Sequence, residues 1–229
     1  MKIALVCLPF AGAGASFFQP WSAQANDLRV VPLQLPGRER RIDEEPYRDA
    51  QVAADALLPD LVRQLDGLTD VVLFGHSMGA VLAYELAHRV AAQPGLVLRH
   101  LFVSGSPEPH TQRPQRATGL SDDEFVARVT AFAGFSHEAL EDPEMRELIL
   151  PALRADVELH ETYRPSTTDR LPAPITSLRG ADDTLVTAAD SARWSEVAGA
   201  GFEYVELPGG HMYLTESAAE LLKLIDATC

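Results

Sequence analysis

The sequence predicts an α/β fold in which a mostly parallel, doubly wound sheet carries helices on both faces. Three observations predict this fold. Short apolar runs alternate with helical patterns along the chain. Most of these runs are continuously apolar, as strands buried on both faces must be. One run ends at a serine enclosed by glycines, and a helical pattern starts directly after it.

The predicted elements follow one another in order, and no internal repeat interrupts them. The apolar runs that predict strands are 2–9, 28–36, 71–75, 98–105, 175–180 and 202–209. The patterns that predict helices between and after them are 16–27, 49–65, 79–92 and 216–227. Ser16 and Gln19 have the spacing of a capping box at the start of the first helix.

One region breaks the alternation, because no strand pattern occurs from Ser106 to about Leu171. A Pro-rich linker begins it, and helical patterns follow at 120–134 and 142–163. We interpret 107–171 as a helical lid inserted over one end of the sheet, within a single domain that spans the chain. Two ordinary crossover helices are the alternative interpretation.

Composition narrows the classes of partner and location. The 229 residues suit one domain, and 46% of them are hydrophobic. A net charge of −14 repels phosphate backbones, so we expect no nucleic-acid partner. The two cysteines suggest neither a disulfide framework nor a metal site. Because the sequence has no bilayer-length apolar stretch and no secretory signal pattern, we expect a cytoplasmic protein without membrane contact. Separately, we expect a monomer.

The stretch "GHSMG" carries the chemistry. Ser77 lies between a predicted strand and a predicted helix, a position that forces a sharp turn and exposes its hydroxyl above the carboxyl end of the sheet. Gly75 and Gly79 let the strand and helix backbones approach each other closely. The backbone N–H of Met78, at the helix N-terminus, is then expected to face an oxyanion formed beside Ser77.

A serine nucleophile needs a base, and that base needs an orienting carboxylate. His211 is the best candidate base, because it lies in a Gly-rich loop after the last predicted strand. Two carboxylates follow the strand 175–180, Asp182 and Asp183. We prefer Asp183, three residues after Gly180, and keep Asp182 as the alternative. We expect His76, adjacent to Ser77, to pack beneath the turn.

The oxyanion hole needs a second donor from the loop after an early strand. The Gly-rich loop "LPFAGAGAS" (8–16) occupies that place, and the backbone N–H of Phe10 is the candidate, with Ala11 next. A dinucleotide-binding loop is the competing interpretation. The segment lacks the G-x-G-x-x-G pattern, and no acidic residue ends the following strand, so we do not favour it.

Several motifs together resemble one known family over nearly the whole chain. They are, in chain order, "CLPFAGAGASFFQPW", "LPGRERR", "LFGHSMGAVLAYELA", "LRADVELHETY" and "LPGGHMYL". This combination is similar to the discrete type II thioesterases of polyketide and nonribosomal peptide biosynthesis. The resemblance implies an α/β-hydrolase fold with a helical lid. It also implies removal of acyl groups from the phosphopantetheine arm of acyl- or peptidyl-carrier proteins, which would be its partners, with no cofactor or metal of its own.

The resemblance assigns roles to residues already singled out. Carried over to the matching positions, Ser77 is the nucleophile and His211 is the base that Asp183 orients. Met78 and Phe10 are the oxyanion donors. The sequence has a threonine after Asp183, where relatives often have proline, and this leaves Asp182 open as the orienting carboxylate.

Two further sets of residues are candidates for selectivity and docking. Five apolar residues of the lid either shape a chamber for the acyl chain or form the core of the lid itself. They are Phe125, Phe132, Phe135, Leu148 and Leu153. A basic cluster consists of Arg38, Arg40 and Arg41. One hypothesis is that it contacts an acidic carrier protein or the pantetheine phosphate. The alternative is that it belongs to an ordinary solvated loop.

Two other functions compete with the thioesterase interpretation. A carboxylesterase or lipase-like enzyme that acts on small oxygen esters would use the same three catalytic side chains. Relative kcat/KM for matched thioesters and oxygen esters distinguishes the two. A non-catalytic binding protein on this fold would usually lack one of the three side chains, and all three candidates are present here.

Overall fold

The structure is a computed structural model that describes residues 2–25, 27–111, 116–133, 140 and 142–229, with 132 and 133 described by backbone alone. Six strands form one sheet in the order β2-β1-β3-β4-β5-β6, and every neighbouring pair is parallel. The strands are β1 Ile3–Leu8, β2 Leu28–Pro32, β3 Asp70–His76, β4 Val97–Ser104, β5 Ile175–Gly180 and β6 Phe202–Leu207. All six predicted strands are present.

The described helices also follow the predicted order. They are α1 Ala50–Leu65, α2 Met78–Ala92, α3 Asp122–Ala133, α4 Pro143–Thr162, α5 Ala188–Ala192 and α6 Ala218–Thr228. Five of them match predicted patterns, and the short α5 was not predicted. Asp49 caps α1 and Asp142 caps α4, each through its carboxylate and two backbone N–H groups. None of the described helices combines the length and apolar character needed to cross a membrane.

The predicted α-helix at 16–27 is wrong in type. The chain forms a 3₁₀ helix at Ala15–Ala23 instead, and Gly14 at its N-cap has no side-chain cap. Phe18 and Trp21 are both buried, and their spacing of three matches the period of a 3₁₀ helix. The expected capping box is also absent from this described segment, because the Ser16 hydroxyl donates to Glu39 across the loop.

The sheet is buried on both faces, which explains the continuously apolar strands. On β1, Ala4, Val6 and Leu8 point into the core formed with α1 and α2. Leu5 and Cys7 point into a second core, formed with the 3₁₀ helix and α6. Alternate side chains of a strand point to opposite faces, so apolar residues are needed at every position.

The strand order creates a crevice at the carboxyl edge of the sheet. The chain starts at β1, adds β2 on one side and then β3 on the other. The connections after β1 and β3 therefore leave in opposite directions, and open α/β sheets bind ligands at such a switch point. Leu8 pairs with Gly75 in the register of β1 and β3. The loop after Leu8 thus meets the turn after Gly75.

The segment between β4 and β5 contains α3 and α4, and its described residues form no strand from 106 to 170. A small core of its own includes Phe125, Leu150 and Leu153. Ala11, in the loop after β1, packs against this core. The insertion therefore packs against the loop at the carboxyl edge of the sheet, and its action as a lid stays a prediction.

Glu85 on α2 anchors the end of this insertion. Its side chain is fully buried and accepts hydrogen bonds from the Tyr163 hydroxyl (3.0 Å), the Ser166 N–H (2.9 Å) and Arg89 (2.8 Å). Burial, together with the charge of Glu85, raises the pKa of Tyr163. The phenol therefore remains a neutral donor, and the chain beyond α4 is fixed to α2.

Glu85→Ala is expected to lower the free energy of unfolding by about 3 kcal/mol, because it leaves buried donors without their acceptor and Arg89 without one of its two carboxylates. Urea unfolding followed by circular dichroism measures the change. The matched control is Glu203→Ala on the exposed side of β6, which should stay within about 0.5 kcal/mol of wild type. Equal losses in the two variants would contradict the anchoring role.

Candidate active site

Ser77 occupies a strained turn between β3 and α2. Its backbone has φ 53° and ψ −117°, a conformation that residues with a side chain rarely adopt. The Ser77 N–H donates to the carbonyl of Ser104 (2.7 Å), and the Ser77 carbonyl accepts from Ala80 (3.0 Å). These bonds hold the turn between the end of β4 and the first turn of α2.

The two glycines of "GHSMG" are required by backbone contact. A Cβ atom at Gly75 would collide with the carbonyl oxygen of Gly79. A Cβ atom at Gly79 would collide with the carbonyl oxygens of Leu8 and Pro9. Since the obstructing atoms belong to the backbone, no side-chain rotation relieves either collision. The strand, the helix and the loop after β1 therefore meet at this turn only because both residues are glycine.

Asp183 and His211 form the predicted carboxylate–imidazole pair. Asp183 Oδ2 lies 2.8 Å from His211 Nδ1, and both side chains are largely buried. Asp183 Oδ1 accepts from the N–H groups of Leu185 (2.7 Å) and Val186 (3.1 Å). Burial acts to raise the pKa of Asp183, but the hydrogen bonds from His211 and the two backbone groups outweigh it, so the pKa lies below its ordinary value.

An ionised carboxylate can only accept hydrogen bonds, so His211 donates through Nδ1 and leaves Nε2 as the basic nitrogen of the neutral ring. Asp182, the alternative carboxylate, is exposed, and its backbone N–H bonds to the carbonyl of Gly209 (2.9 Å). The structure therefore brings Asp183, and not Asp182, to the imidazole.

His211 lies beside the Ser77 turn. Its ring centroid is 4.9 Å from that of His76, the residue before Ser77. His76 is fully buried, with Nδ1 2.8 Å from the Ser104 hydroxyl, which in turn lies 2.7 Å from the Tyr213 hydroxyl. As expected, His76 packs beneath the turn, where it supports the ring of His211.

The two expected oxyanion donors come from elements that pack against each other at Gly79. Met78 is the first residue of α2 and is buried, while Phe10 lies in the loop after β1 and is partly buried. Ala13 N–H donates to the Phe10 carbonyl (3.0 Å) and closes a turn in that loop. Within the described chain, the N–H groups of Phe10 and Met78 donate to no other residue, so both can serve a ligand.

The arginines do not form the exposed cluster that the sequence suggested. Arg38 is buried and bonds to both carboxylate oxygens of Asp156 (2.6 and 2.7 Å). Arg41 pairs with Glu44 (2.5 Å) and Asp60 (3.7 Å). The docking hypothesis is therefore wrong for Arg38, whose guanidinium cannot reach a partner protein. Among the three, only Arg40 is exposed and without an ion pair in the described structure.

The five residues proposed for an acyl chamber have different environments. Phe125 and Leu153 are buried in the core of the insertion, as the lid-core interpretation expects. Leu148 is 52% exposed. The side chains of Phe132 and Phe135 lie outside the described part of the structure. The described residues contain no group of three or more His, Cys, Asp or Glu that could hold a metal ion.

Comparison with known proteins gives similarities along nearly the whole chain. The family described as "Thioesterase domain" matches residues 4–229. The "Probable cadicidin biosynthesis thioesterase" of Streptomyces griseus is 39% identical over 93% of this chain, which spans 59% of that relative. The gramicidin S biosynthesis protein GrsT of Aneurinibacillus migulanus is 32% identical over 98% of this chain and 88% of that relative.

A solved structure gives the same result. The type II thioesterase BorB from the borrelidin biosynthetic cluster superposes with a TM-score of 0.86 and 36% identity, covering 100% of this chain and 91% of that one. The predicted α/β-hydrolase fold is confirmed by this likeness.

Asp183→Asn should weaken the folded state in a pH-dependent way. A carboxyl whose pKa is depressed by folding stabilises the protein above its unfolded pKa of about 3.9, and this contribution is lost as the pH falls through the folded pKa. We expect the difference in unfolding free energy between wild type and Asp183→Asn to be largest near neutral pH and to shrink toward about pH 3. Urea unfolding at several pH values measures it.

The control is Asp182→Asn, which removes the exposed neighbouring carboxylate. Its unfolding free energy should follow wild type at every pH. A constant difference between wild type and Asp183→Asn over the same range would mean that ionisation of Asp183 does not support the folded state.

Proposed function

The chain belongs to the Thioesterase domain family, and on this premise we propose that it hydrolyses acyl thioesters on the phosphopantetheine arm of carrier proteins in polyketide or nonribosomal peptide biosynthesis. The observation that carries the proposal is the Asp183–His211 hydrogen bond beside the strained Ser77 turn. Three groups that serine acyl transfer requires thus come from three loops at one sheet edge. Two relatives, a probable cadicidin biosynthesis thioesterase and a gramicidin S biosynthesis protein, support thioester hydrolysis in a biosynthetic pathway of this kind.

The first half of the reaction forms an acyl-enzyme. The Ser77 oxygen attacks the thioester carbonyl carbon while His211 Nε2 takes the hydroxyl proton. Asp183 holds the resulting imidazolium in place and balances its charge. The carbonyl oxygen, now an oxyanion, accepts hydrogen bonds from the N–H groups of Phe10 and Met78, each worth about 3 kcal/mol in comparable sites. The tetrahedral adduct then collapses, and the pantetheine sulfur leaves with the proton from His211.

The second half reverses these roles with water. His211 removes a proton from a water molecule, whose oxygen attacks the Ser77 ester through a second oxyanion. Collapse releases the carboxylic acid, and the proton returns to the Ser77 oxygen. The phosphopantetheine enters and leaves with the carrier protein, so the chemistry uses only side chains and backbone groups of this chain. We propose that one chain suffices and that the protein acts as a monomer; a cytoplasmic location stays a prediction of the sequence.

Ser77→Ala should abolish release of free acid from a carrier protein loaded with a short acyl group, lowering the rate by a factor of at least about 10³. Without the hydroxyl no acyl-enzyme can form. Steady-state release of the acid, followed by mass spectrometry, is the measurement. The matched control is Ser22→Ala, an exposed serine of the 3₁₀ helix, which should keep the wild-type rate.

The same assay separates the proposed substrate class from its rivals. If wild type leaves the loaded carrier protein intact but cleaves p-nitrophenyl esters through Ser77, the enzyme is an esterase and the carrier-protein proposal is wrong. If wild type cleaves neither substrate, the catalytic proposal itself is wrong, which leaves the non-catalytic binding interpretation.

A further inference from the structure

A buried ion pair joins the helical insertion to the body of the protein. Arg38 follows β2, and Asp156 lies on α4, 118 residues later. Their side chains are 9% and 3% exposed, and two hydrogen bonds of 2.6 and 2.7 Å join the guanidinium to the carboxylate. Such a pair is rarely stronger than well-packed apolar residues of similar volume, so stability alone does not explain it.

Both members of the pair also bond to the loop that holds the proposed oxyanion donor Phe10. The Gly12 N–H donates to Asp156 Oδ2 (2.8 Å), and Arg38 donates to the Ala13 carbonyl (3.1 Å). Ala13 N–H in turn donates to the Phe10 carbonyl (3.0 Å). The ion pair therefore holds the turn that begins at Phe10 through hydrogen bonds to two consecutive residues, Gly12 and Ala13. Apolar replacements cannot supply these directed bonds.

Helix α4 also touches this loop directly. Gly12 has φ +81°, and a Cβ atom there would lie 3.2 Å from a methyl group of Leu153. Residues 9–14 belong to no helix or strand. Their position depends on these contacts from the insertion and on the packing of Pro9 against α2. A small displacement of the loop would turn the Phe10 N–H away from the oxyanion.

We propose that Asp156 is a positioning residue for the reaction. Its carboxylate holds residues 9–14, the oxyanion loop, in their active geometry through Gly12, while Arg38 holds Ala13. Because the carboxylate belongs to α4, the oxyanion hole is complete only when the insertion is seated on the loop. This inference rests on the proposed function, since the Phe10 N–H matters only if an oxyanion forms beside Ser77.

The test is a variant series at Asp156, measured with an acyl-carrier thioester and with a small p-nitrophenyl ester. Asp156→Ala should lower kcat roughly 10- to 100-fold on both substrates and change KM less than about threefold, because a misplaced donor affects the transition state more than substrate binding. Asp156→Asn keeps an acceptor for Gly12 and should lose less. The affinity of a trifluoromethyl ketone, which forms a tetrahedral adduct with the serine, should fall in parallel with kcat.

Two controls separate positioning from stability. Glu158→Gln breaks a different ion pair of the same helix, the one with Arg48, but leaves the oxyanion loop untouched and should keep the wild-type kcat. The double variant Asp156→Leu with Arg38→Met replaces the buried pair by apolar side chains. It should recover the unfolding free energy lost in Asp156→Ala, yet keep the low kcat.

The inference is overturned if Asp156→Ala keeps the wild-type kcat, or if the double variant recovers kcat together with stability. The ester arm keeps this outcome distinct from the fate of the proposed function. If the acyl-carrier substrate is not hydrolysed at all, the substrate proposal fails, while the ester kcat values still decide whether Asp156 positions the oxyanion loop.

Discussion

The contact of three backbone segments around Gly75 and Gly79 is the constraint on which the site depends. Strand β3, helix α2 and the loop after β1 approach so closely that neither position has room for a Cβ atom. This approach forces Ser77 into its strained conformation and sets the loop beside the first turn of α2. The strain is held by the bond from Ser77 to the end of β4 and by the rigid elements on either side. The result is a serine held in one backbone conformation, as the proposed nucleophile requires.

Each remaining group of the site comes from a loop at the same edge of the sheet. Parallel strands bring their carboxyl ends together, so residues far apart in the chain become neighbours without any long connection across the core. Asp183 follows β5 and His211 follows β6, and the hydrogen bond between them orients the ring toward the turn. Beneath them, His76 and the hydroxyls of Ser104 and Tyr213 form a buried polar layer. The layer supports the imidazole of His211 from below, while the insertion covers the oxyanion loop from above.

Much of this arrangement was predictable because it is encoded locally. Continuous apolar runs indicate buried strands, and two glycines around a serine between strand and helix indicate the sharp turn. What escaped prediction depends on tertiary contacts. The burial of Arg38 requires a carboxylate 118 residues away, and nothing in "LPGRERR" distinguishes it from the exposed Arg40. Asp156 lies within the motif "LRADVELHETY", but the pattern of that segment predicts only a helix. Asp183 was preferred over Asp182 from the sequence, but the alternative stayed open because only the folded chain shows which carboxylate turns inward.

The buried anchor at Glu85 also determines which part of the insertion can open locally. Helix α4 is tied to the body near its middle and again just after its last turn, whereas its first turns carry exposed side chains such as Met145 and Leu148. Local opening costs least where few buried contacts must be broken. Local opening of the insertion will therefore start at the Pro143 end of α4, while the end anchored by Glu85 stays in place. Amide hydrogen exchange should be fast in the first turns of α4 and slow beside Glu85.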